Sequence, residues 1–311
     1  MNLSSRKTLA LPLFILLLIS SITACQTQST LESGAVAKKV SVTPKKQSIS
    51  KGDYRGELLH QGRRRTYYLH TPKSYNPNRP MPLVLAFHGY GSQGKDLASN
   101  TGFSELAEQK AFIIVYPDGI DRQWNVASNP LFGVDDVSLV EALIEHLTQT
   151  LAIDRRRIYA TGVSNGGFLV QRLACTQNQI AAFASVVATF PGELQSSCDH
   201  ETPSSMLMIN GTDDRKVPWS GERGVYGWMM SVPDSINFWR QHNGCTDKEV
   251  KQILNARVEI SRYPNCRNNS EVELVVLKGV GHVWPRGGSG SQQLLNGSEE
   301  IWNFFQRNAL P

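Results

Sequence analysis

The sequence predicts a single α/β domain in which helices cover both faces of a mostly parallel central sheet. Two observations carry this prediction: short apolar runs of the kind that parallel sheets bury on both faces, and amphipathic stretches between them. Their alternation is typical of a doubly wound sheet, whose functional site lies at the carboxyl ends of the strands. The apolar runs are residues 66–69, 83–87, 112–116, 158–161, 183–188, 206–209 and 274–277.

The clearest predicted helix covers residues 137–151. Leucines recur there at every fourth position, which places them on one face, and Asp135 or Asp136 is available as the N-cap. Further helices are predicted between and after the later strands. They cover residues 166–174, 236–242 and 299–307.

The first 24 residues resemble the signal peptide of a bacterial lipoprotein. Arg6 and Lys7 give it a positive start, and residues 9–19 form an apolar core that is too short to span a bilayer. A small residue then precedes Cys25, which we expect to carry the lipid. An ordinary cleaved signal peptide is the alternative.

The composition of the segment that follows predicts a flexible tether. Residues 25–53 are rich in polar residues and lack a core pattern, which leaves residues 54–311 for one globular domain. The protein is therefore expected to be exported, and to be either lipid-anchored at the bacterial cell envelope, on the periplasmic side or the cell surface, or secreted.

Four cysteines remain beyond the predicted signal peptide and lipidation site. An even number of cysteines in an exported protein predicts disulfide bonds, and four allow three pairings. Proximity in sequence favours Cys175 with Cys198 and Cys245 with Cys266.

The charge distribution argues against a nucleic-acid partner. The formal net charge is +5, much of the excess lies in the N-terminal segment, and no basic stripe with interleaved aromatic residues occurs in the globular part. The sequence also has no His/Cys cluster at metal-ligand spacing, so we expect no metal and no organic cofactor. We expect a monomer.

A serine stands in the setting of a nucleophile. The residues Gly162-Val163-Ser164-Asn165-Gly166 directly follow a strand-like run, and the two glycines permit a tight strand-to-helix turn. Such a turn exposes the hydroxyl of Ser164 for nucleophilic attack. The alternative is a buried turn serine without a catalytic role.

A serine nucleophile requires a base and an acid that orients the base. Asp214 and His282 follow the last two apolar runs, and glycines before His282 leave its ring free to swing over a cleft. The chain order serine, aspartate, histidine is the one that α/β-hydrolases use. Asp213 is the alternative acid.

Two backbone N–H groups are expected to stabilise the oxyanion of the tetrahedral intermediate. One belongs to Asn165, directly after the nucleophile, and the other to Tyr90 in the glycine-containing turn after the run at residues 83–87. His88 in the same turn is expected to be structural.

Several motifs resemble the polyhydroxybutyrate depolymerase and feruloyl esterase group of α/β-hydrolases. The resemblance extends from about residue 53 to the C-terminus and implies one α/β-hydrolase domain, Asp214 as the acid, and the cysteine pairs favoured above. Trp219 stands where the group more often has Tyr or Phe. The motifs are residues 88–91 (HGYG), 116–119 (YPDG), 134–137 (VDDV), 160–167 (ATGVSNGG), 211–214 (GTDD), 217–218 (VP), 243–245 (NGC) and 281–285 (GHVWP).

The resemblance implies a serine carboxylic-ester hydrolase that works through an acyl-enzyme. Trp219 and Trp284 are predicted to line an aromatic slot for substrate. The expected substrates are small or oligomeric esters: feruloyl or acetyl esters of polysaccharide fragments, or short hydroxyalkanoate esters. The alternative is a catalytically idle surface lipoprotein that binds a glycan or peptide in the same cleft.

Overall fold

A computed structural model provides the structure. The predicted signal peptide, Cys25 and the tether up to residue 50 lie outside the described residues. The described residues are 51–126, 133–198, 202–224, 227–246, 248–287 and 294–311.

Within the described residues, twelve strands form one large sheet and one small one. They are β1 (Gly52–His60), β2 (Arg63–Thr71), β3 (Met81–Phe87), β4 (Ile113–Pro117), β5 (Ile153–Val163), β6 (Ala182–Val186), β7 (Ser205–Gly211), β8 (Glu222–Gly224), β9 (Gly227–Met229), β10 (Val250–Asn255), β11 (Val258–Tyr263) and β12 (Val272–Leu277).

Six α-helices lie between or after the strands in the described ranges. None of these helices is long and apolar enough to cross a bilayer. They are α1 (Gly94–Thr101), α2 (Phe103–Lys110), α3 (Asp136–Thr150), α4 (Asn165–Ala174), α5 (Val232–His242) and α6 (Gly297–Arg307).

The large sheet has the strand order β1-β2-β4-β3-β5-β6-β7-β12-β11-β10. Its six central strands, from β4 to β12, are parallel, and the two strands on each side of them add in antiparallel orientation. β8 and β9 form a separate two-stranded sheet. The predicted mostly parallel sheet is confirmed.

The strands are buried on both faces, because successive side chains enter opposite layers of the core. In β3, Leu83, Leu85 and Phe87 pack with α3, α4 and α5, whereas Val84 and Ala86 pack with α1, α2 and α6. The prediction of helices on both faces is therefore confirmed. This two-layered core holds the carboxyl ends of the parallel strands at one edge of the sheet.

The globular domain begins earlier than predicted. β1 already includes Gly52, which pairs with Thr71, and Asp53, which pairs with His70. Nδ1 of His70 also lies 2.7 Å from Oδ1 of Asp53. The predicted tether therefore ends before Gly52 and not at Asp53.

Candidate active site

Ser164 occupies a strained turn between β5 and α4. Its backbone has φ 55° and ψ −118°, a combination that L-residues rarely adopt. The turn is held on both sides: the Ser164 N–H donates to the Val186 carbonyl at 2.9 Å, and the Phe168 N–H donates to the Ser164 carbonyl at 2.9 Å. Ser164 is half-buried, so the turn places it at the carboxyl end of β5 within reach of solvent.

The glycines on either side of Ser164 are required by close backbone approach. A Cβ on Gly162 would lie 2.5 Å from the carbonyl carbon of Gly166. A Cβ on Gly166 would lie 2.6 Å from the carbonyl carbon of Phe87 and 2.7 Å from the carbonyl oxygen of His88. Glycine therefore lets α4 start directly against the ends of β5 and β3.

Asp214 and His282 are hydrogen-bonded beyond the ends of two adjacent parallel strands. Asp214 follows β7, His282 follows β12, and Nδ1 of His282 lies 2.7 Å from Oδ2 of Asp214. The second oxygen, Oδ1, accepts from the backbone N–H groups of Lys216 at 2.8 Å and Val217 at 2.9 Å. Both carboxylate oxygens are therefore engaged.

These contacts keep Asp214 ionised. Burial acts to raise its pKa, but the hydrogen bonds from His282 and the two amides, with the charge of the histidine, bring the net pKa below the ordinary value of 3.8. An ionised carboxylate can only accept hydrogen bonds. Nδ1 of His282 therefore carries the proton, and the lone pair of Nε2 is left to act as a base.

Asp213 occupies a different environment. It is exposed, and its Oδ1 accepts a hydrogen bond from the Thr212 hydroxyl at 3.1 Å. Its backbone N–H donates to the Val280 carbonyl at 3.0 Å. The structure thus brings Asp214, and not Asp213, to His282.

Ser164 lies at the same edge of the sheet as this pair, but no hydrogen bond joins it to His282 within the described ranges. β6 and β7 separate β5 from β12, so the loop that carries His282 has to extend across two strand ends. Catalytic hydrogen bonds are often long until substrate binds. The structure therefore joins Asp214 and His282 directly and places Ser164 at the same edge of the sheet.

The two amides predicted to stabilise an oxyanion donate to no carbonyl in the described part of the chain. Asn165 is the first residue of α4, where helical N–H groups have no partner within the helix. Two hydrogen bonds hold the turn around Tyr90. The Gly91 N–H donates to the Arg122 carbonyl at 2.8 Å, and the Ser92 N–H donates to the Gly89 carbonyl at 3.2 Å. Neither amide is therefore occupied by a backbone carbonyl in the described ranges, as the predicted role requires.

His88 supports this turn from beneath. The ring is fully buried, with Nδ1 2.8 Å from the Gly89 carbonyl and Nε2 2.9 Å from the Gly119 N–H. An N–H can only donate, so Nε2 accepts and Nδ1 donates. Burial lowers the pKa of His88 despite the opposing effect of the Gly89 carbonyl and nearby carboxylates. A neutral, doubly hydrogen-bonded ring fits the structural role predicted for His88.

The two tryptophans predicted to line a substrate slot lie on opposite faces of the sheet. Trp284 donates from Nε1 to the Ser298 hydroxyl at 3.2 Å and meets Phe103 edge-on at a centroid distance of 5.8 Å, which ties it to α2 and α6. Trp219 packs half-buried against the core on the other face. Contact with substrate stays a prediction for both, and the contacts of Trp284 are those of a structural residue.

Both favoured cysteine pairs form disulfides. Cys175 caps the C-terminal end of α4 and is bonded to Cys198, 23 residues later. Cys245, just after α5, is bonded to Cys266. The first bridge therefore anchors the helix for which Ser164 is the N-cap.

A buried ion pair that the sequence analysis did not single out supports the loop after β4. Nη2 of Arg65 lies 2.7 Å from Oδ1 of Asp136, and their side chains are only 3% and 1% exposed. Oδ2 of Asp136 accepts from the Asn125 N–H at 2.8 Å, and Asp118 accepts from the Gly94 N–H at 2.8 Å. The sequence analysis named Asp136 as a possible N-cap and as part of the motif at residues 134–137, and the cap position is taken by Asp135, which accepts a hydrogen bond from the Ser138 N–H.

Two acidic side chains contact His70, which lies on β2: Asp53 on β1 and Glu108 on α2. Nδ1 of His70 faces Asp53, and Nε2 lies 3.2 Å from Oε1 of Glu108, beside a cavity of about 300 Å³. No group of three His, Cys, Asp or Glu side chains in the described ranges is arranged to hold a metal ion. None of the residues around His70 belongs to the elements that carry Ser164, Asp214 or His282.

A strained serine at a strand-to-helix turn, with an Asp–His pair after later strands of a mostly parallel sheet, places this chain among proteins of the α/β-hydrolase fold. The family assignment agrees with the fold. Residues 60–262 match the model of the Esterase family, described as "Putative esterase", and the chain belongs to this family. The match ends before β12 and therefore does not include His282.

Curated relatives of this chain include fungal feruloyl esterases. It is 25% identical over 252 residues to feruloyl esterase B of Piromyces equi, covering 77% of this chain but only 44% of that protein. It is 28% identical over 247 residues to feruloyl esterase C of Emericella nidulans, covering 78% of this chain and 83% of that protein. The chain thus spans less than half the length of the first relative and most of the second.

Solved structures agree on the fold. The acetyl xylan esterase of Aspergillus awamori superposes with a TM-score of 0.58 at 15% sequence identity, over 82% of this chain and 99% of the other. Identity at this level supports the architecture alone.

Proposed function

We propose that this protein is an exported serine carboxylic-ester hydrolase with the catalytic residues Ser164, His282 and Asp214. The hydrogen bond of 2.7 Å between His282 and the buried Asp214 carries the proposal, because it forms at the sheet edge where the strained Ser164 turn lies. Membership in the Esterase family supports the same reaction class. A binding protein has no need of an oriented base at the same sheet edge as a strained serine.

In the proposed first half-reaction, Oγ of Ser164 attacks the ester carbonyl carbon while Nε2 of His282 takes the hydroxyl proton. The carbonyl oxygen becomes an oxyanion, which the N–H groups of Tyr90 and Asn165 stabilise. The imidazolium then gives its proton to the departing alcohol oxygen as the carbon–oxygen bond breaks. The acyl group is left esterified to Ser164.

Water completes the cycle. Nε2 of His282 takes a proton from the water as its oxygen attacks the acyl carbon, and then returns that proton to Oγ of Ser164 as the acid departs. Asp214 stays ionised throughout and stabilises the positive charge on the ring each time it forms. The lowered pKa of Asp214 suits this role.

The proposed substrates are feruloyl or acetyl esters of polysaccharide fragments, or short hydroxyalkanoate esters. One observation favours the plant-polysaccharide esters: curated relatives are named feruloyl esterases. Trp219 is a candidate contact for an aromatic acyl group, because it is half-buried and its indole nitrogen makes no hydrogen bond within the described residues.

We also propose that the protein is exported with a lipid on Cys25. The two disulfides support export, since such bonds persist in oxidising compartments. Metabolic labelling with an alkyne fatty acid tests the anchor in a bacterial host. Label is expected on the wild type and absent from Cys25→Ser, and an unlabelled wild type would rule out the lipid.

The central test is hydrolysis of a small ester panel by the purified protein beside its Ser164→Ala variant. The panel contains 4-nitrophenyl acetate, 4-nitrophenyl butyrate, methyl ferulate and a hydroxybutyrate trimer. Activity on at least one ester, and its loss in Ser164→Ala, is the expected result. The preferred ester then separates the feruloyl, acetyl and hydroxyalkanoate alternatives.

A fluorophosphonate probe gives an independent measure of the nucleophile. Wild-type protein is expected to be labelled at Ser164, as mass spectrometry of the labelled peptide would establish. A folded wild type that neither hydrolyses the panel nor reacts with the probe would contradict the proposed function and favour the idle binding protein.

A further inference from the structure

Trp124 lies in the loop after β4 and contacts both segments that supply the proposed oxyanion-binding amides. One segment is the start of α4, where Asn165 follows Ser164. The other is the turn at residues 88–91, which contains Tyr90. Trp124 uses its backbone for the first contact and its indole for the second.

The Asn165 side chain holds the backbone of Trp124 at two points. The Trp124 N–H donates to Oδ1 of Asn165 at 2.6 Å, and Nδ2 of Asn165 donates to the Trp124 carbonyl at 3.2 Å. Asn165 is fully buried, so losing either partner would leave a polar group without water or protein contact. Because side chain and backbone belong to one residue, this double contact also restricts the position of the Asn165 N–H.

The Trp124 indole holds the other segment. Nε1 donates to the His88 carbonyl at 2.9 Å, two residues before Tyr90. The indole packs on the His88 ring at a centroid distance of 4.9 Å and meets Phe87 edge-on at 5.3 Å. Only 3% of Trp124 is exposed, so these contacts lie in the interior and not in a mobile surface loop.

The loop that carries Trp124 is fixed on both sides. Before Trp124, the Gly119 N–H donates to Nε2 of His88 at 2.9 Å. After it, the Asn125 N–H donates to the buried carboxylate of Asp136 at 2.8 Å. Trp124 therefore links two segments from a position that the surrounding hydrogen bonds define.

We propose that Trp124 is a positioning residue that holds the Tyr90 and Asn165 amides at the separation that an oxyanion requires. This inference rests on the proposed function, since only a reaction through an oxyanion makes that separation matter. Oxyanion donors act because they are preorganised, and small displacements of catalytic groups reduce rates strongly. Trp124 itself touches no reacting atom.

The test is Trp124→Phe in the full-length protein. Phenylalanine keeps an aromatic ring but removes the N–H that binds the His88 carbonyl. We expect kcat for 4-nitrophenyl acetate to fall about 10- to 100-fold, because a displaced donor retains part of its effect. KM is expected to change by less than about threefold, since the loss is confined to the transition state.

A boronic acid supplies a readout that a purely structural role would not change. Boronic acids form tetrahedral adducts with serine nucleophiles and place an oxygen where the oxyanion would lie. The affinity of phenylboronic acid is expected to fall by the same factor as kcat in Trp124→Phe. The inhibition constant of the acetate product is expected to stay within about twofold, because it lacks the tetrahedral centre.

Two other tryptophans provide matched controls. Trp302 is buried against Phe112, and its Nε1 has no hydrogen-bond partner in the described structure, so Trp302→Phe removes the same atoms without breaking a bond. Trp239→Phe breaks a buried indole bond to Gln171 at 2.6 Å away from the proposed amides. Both controls are expected to keep kcat within about threefold of the wild type.

The proposal is overturned by a folded Trp124→Phe with unchanged kcat and boronate affinity, or with a change in KM alone. An equal loss of kcat in Trp239→Phe would overturn it as well. If Trp124→Phe does not fold, Asn165→Ala replaces it as the test, because this variant breaks the other contact with Trp124 and keeps the backbone N–H of residue 165. A lowered kcat with a nearly unchanged KM is again expected. An unchanged kcat refutes the proposal. Failure of the proposed function gives a different result from failure of this inference, since the activity of Ser164→Ala would then equal that of the wild type.

Discussion

Alanine at Gly166 would force apart the two segments that meet below the proposed nucleophile, Ser164. Its Cβ would lie 2.6 Å from the Phe87 carbonyl carbon and 2.7 Å from the His88 oxygen, whereas ordinary contacts begin at 3.4 Å. Both obstacles are backbone atoms, so no flexible side chain can move aside. The start of α4 and the end of β3 have to separate by nearly an ångström.

The expected effect is larger on catalysis than on stability. Overpacking of this kind costs about 1–3 kcal/mol of unfolding free energy. The same displacement carries Ser164 and Asn165 away from the turn that contains Tyr90. Since a misplacement of about 1 Å can reduce a rate about 100-fold, we expect kcat to fall by about that factor in Gly166→Ala.

The assay combines kcat for 4-nitrophenyl acetate with urea unfolding. Gly62→Ala is the control: Gly62 has φ +72° with open space around its Cβ, so alanine is strained there without a clash. It should cost about 1 kcal/mol of stability and leave kcat unchanged. A Gly166→Ala protein with wild-type kcat would refute the reasoning from close approach.

Four further outcomes are expected. Asp214→Asn should reduce kcat by about 10⁴-fold, whereas Asp213→Asn should change it by less than about threefold, as initial rates would show. The pKa of Asp214 is lowered from 3.8 in the folded protein, so its contribution to stability is complete above pH 3.8 and is lost as the pH falls through the folded-state pKa. Below pH 3.8, the urea midpoint of Asp214→Asn should therefore decline less steeply with falling pH than that of the wild type. Cys175→Ser opens a disulfide between cysteines 23 residues apart and should cost about 3 kcal/mol by urea unfolding, with a loss under about 1 kcal/mol counting against the entropic account. Arg65→Met leaves the buried carboxylate of Asp136 without its charged partner and should lower the free energy of unfolding by about 3–5 kcal/mol. An unchanged urea midpoint would contradict the burial of that ion pair.

The parts of the site that the sequence predicts best are those built from neighbouring residues. The turn at Ser164 is a local strand–glycine–helix pattern, so its position and its strain follow from a few adjacent residues. Asp214 and His282 were located because each follows an apolar run that ends at the same edge of a parallel sheet. Their mutual distance is set by tertiary structure, and only the structure shows that Asp214 and not Asp213 reaches the ring.

Two of the strands that sequence reasoning missed, β1 and β10, lack a core pattern, whereas β11, α1 and α2 were missed although they bury apolar residues. Every residue of β10 is exposed, so it carries no apolar periodicity, and β1 alternates exposed and half-buried positions. Both strands form by antiparallel addition to strands that are themselves buried by the core. The surroundings of Trp284 could not be predicted either, because the hydrogen bond from its indole to Ser298 on α6 depends on tertiary structure.

The acid and the base are brought together by strand pairing and not by the chain between them. After Asp214 the chain passes through β8, β9, α5, β10 and β11 before it returns at β12, where Leu277 pairs with Gly211 of β7. The entropic cost of closing such an excursion rises only slowly with its length. Because the pairing of β7 with β12 closes this excursion, a change in its length should leave Leu277 opposite Gly211 and keep Asp214 and His282 at the same edge of the sheet.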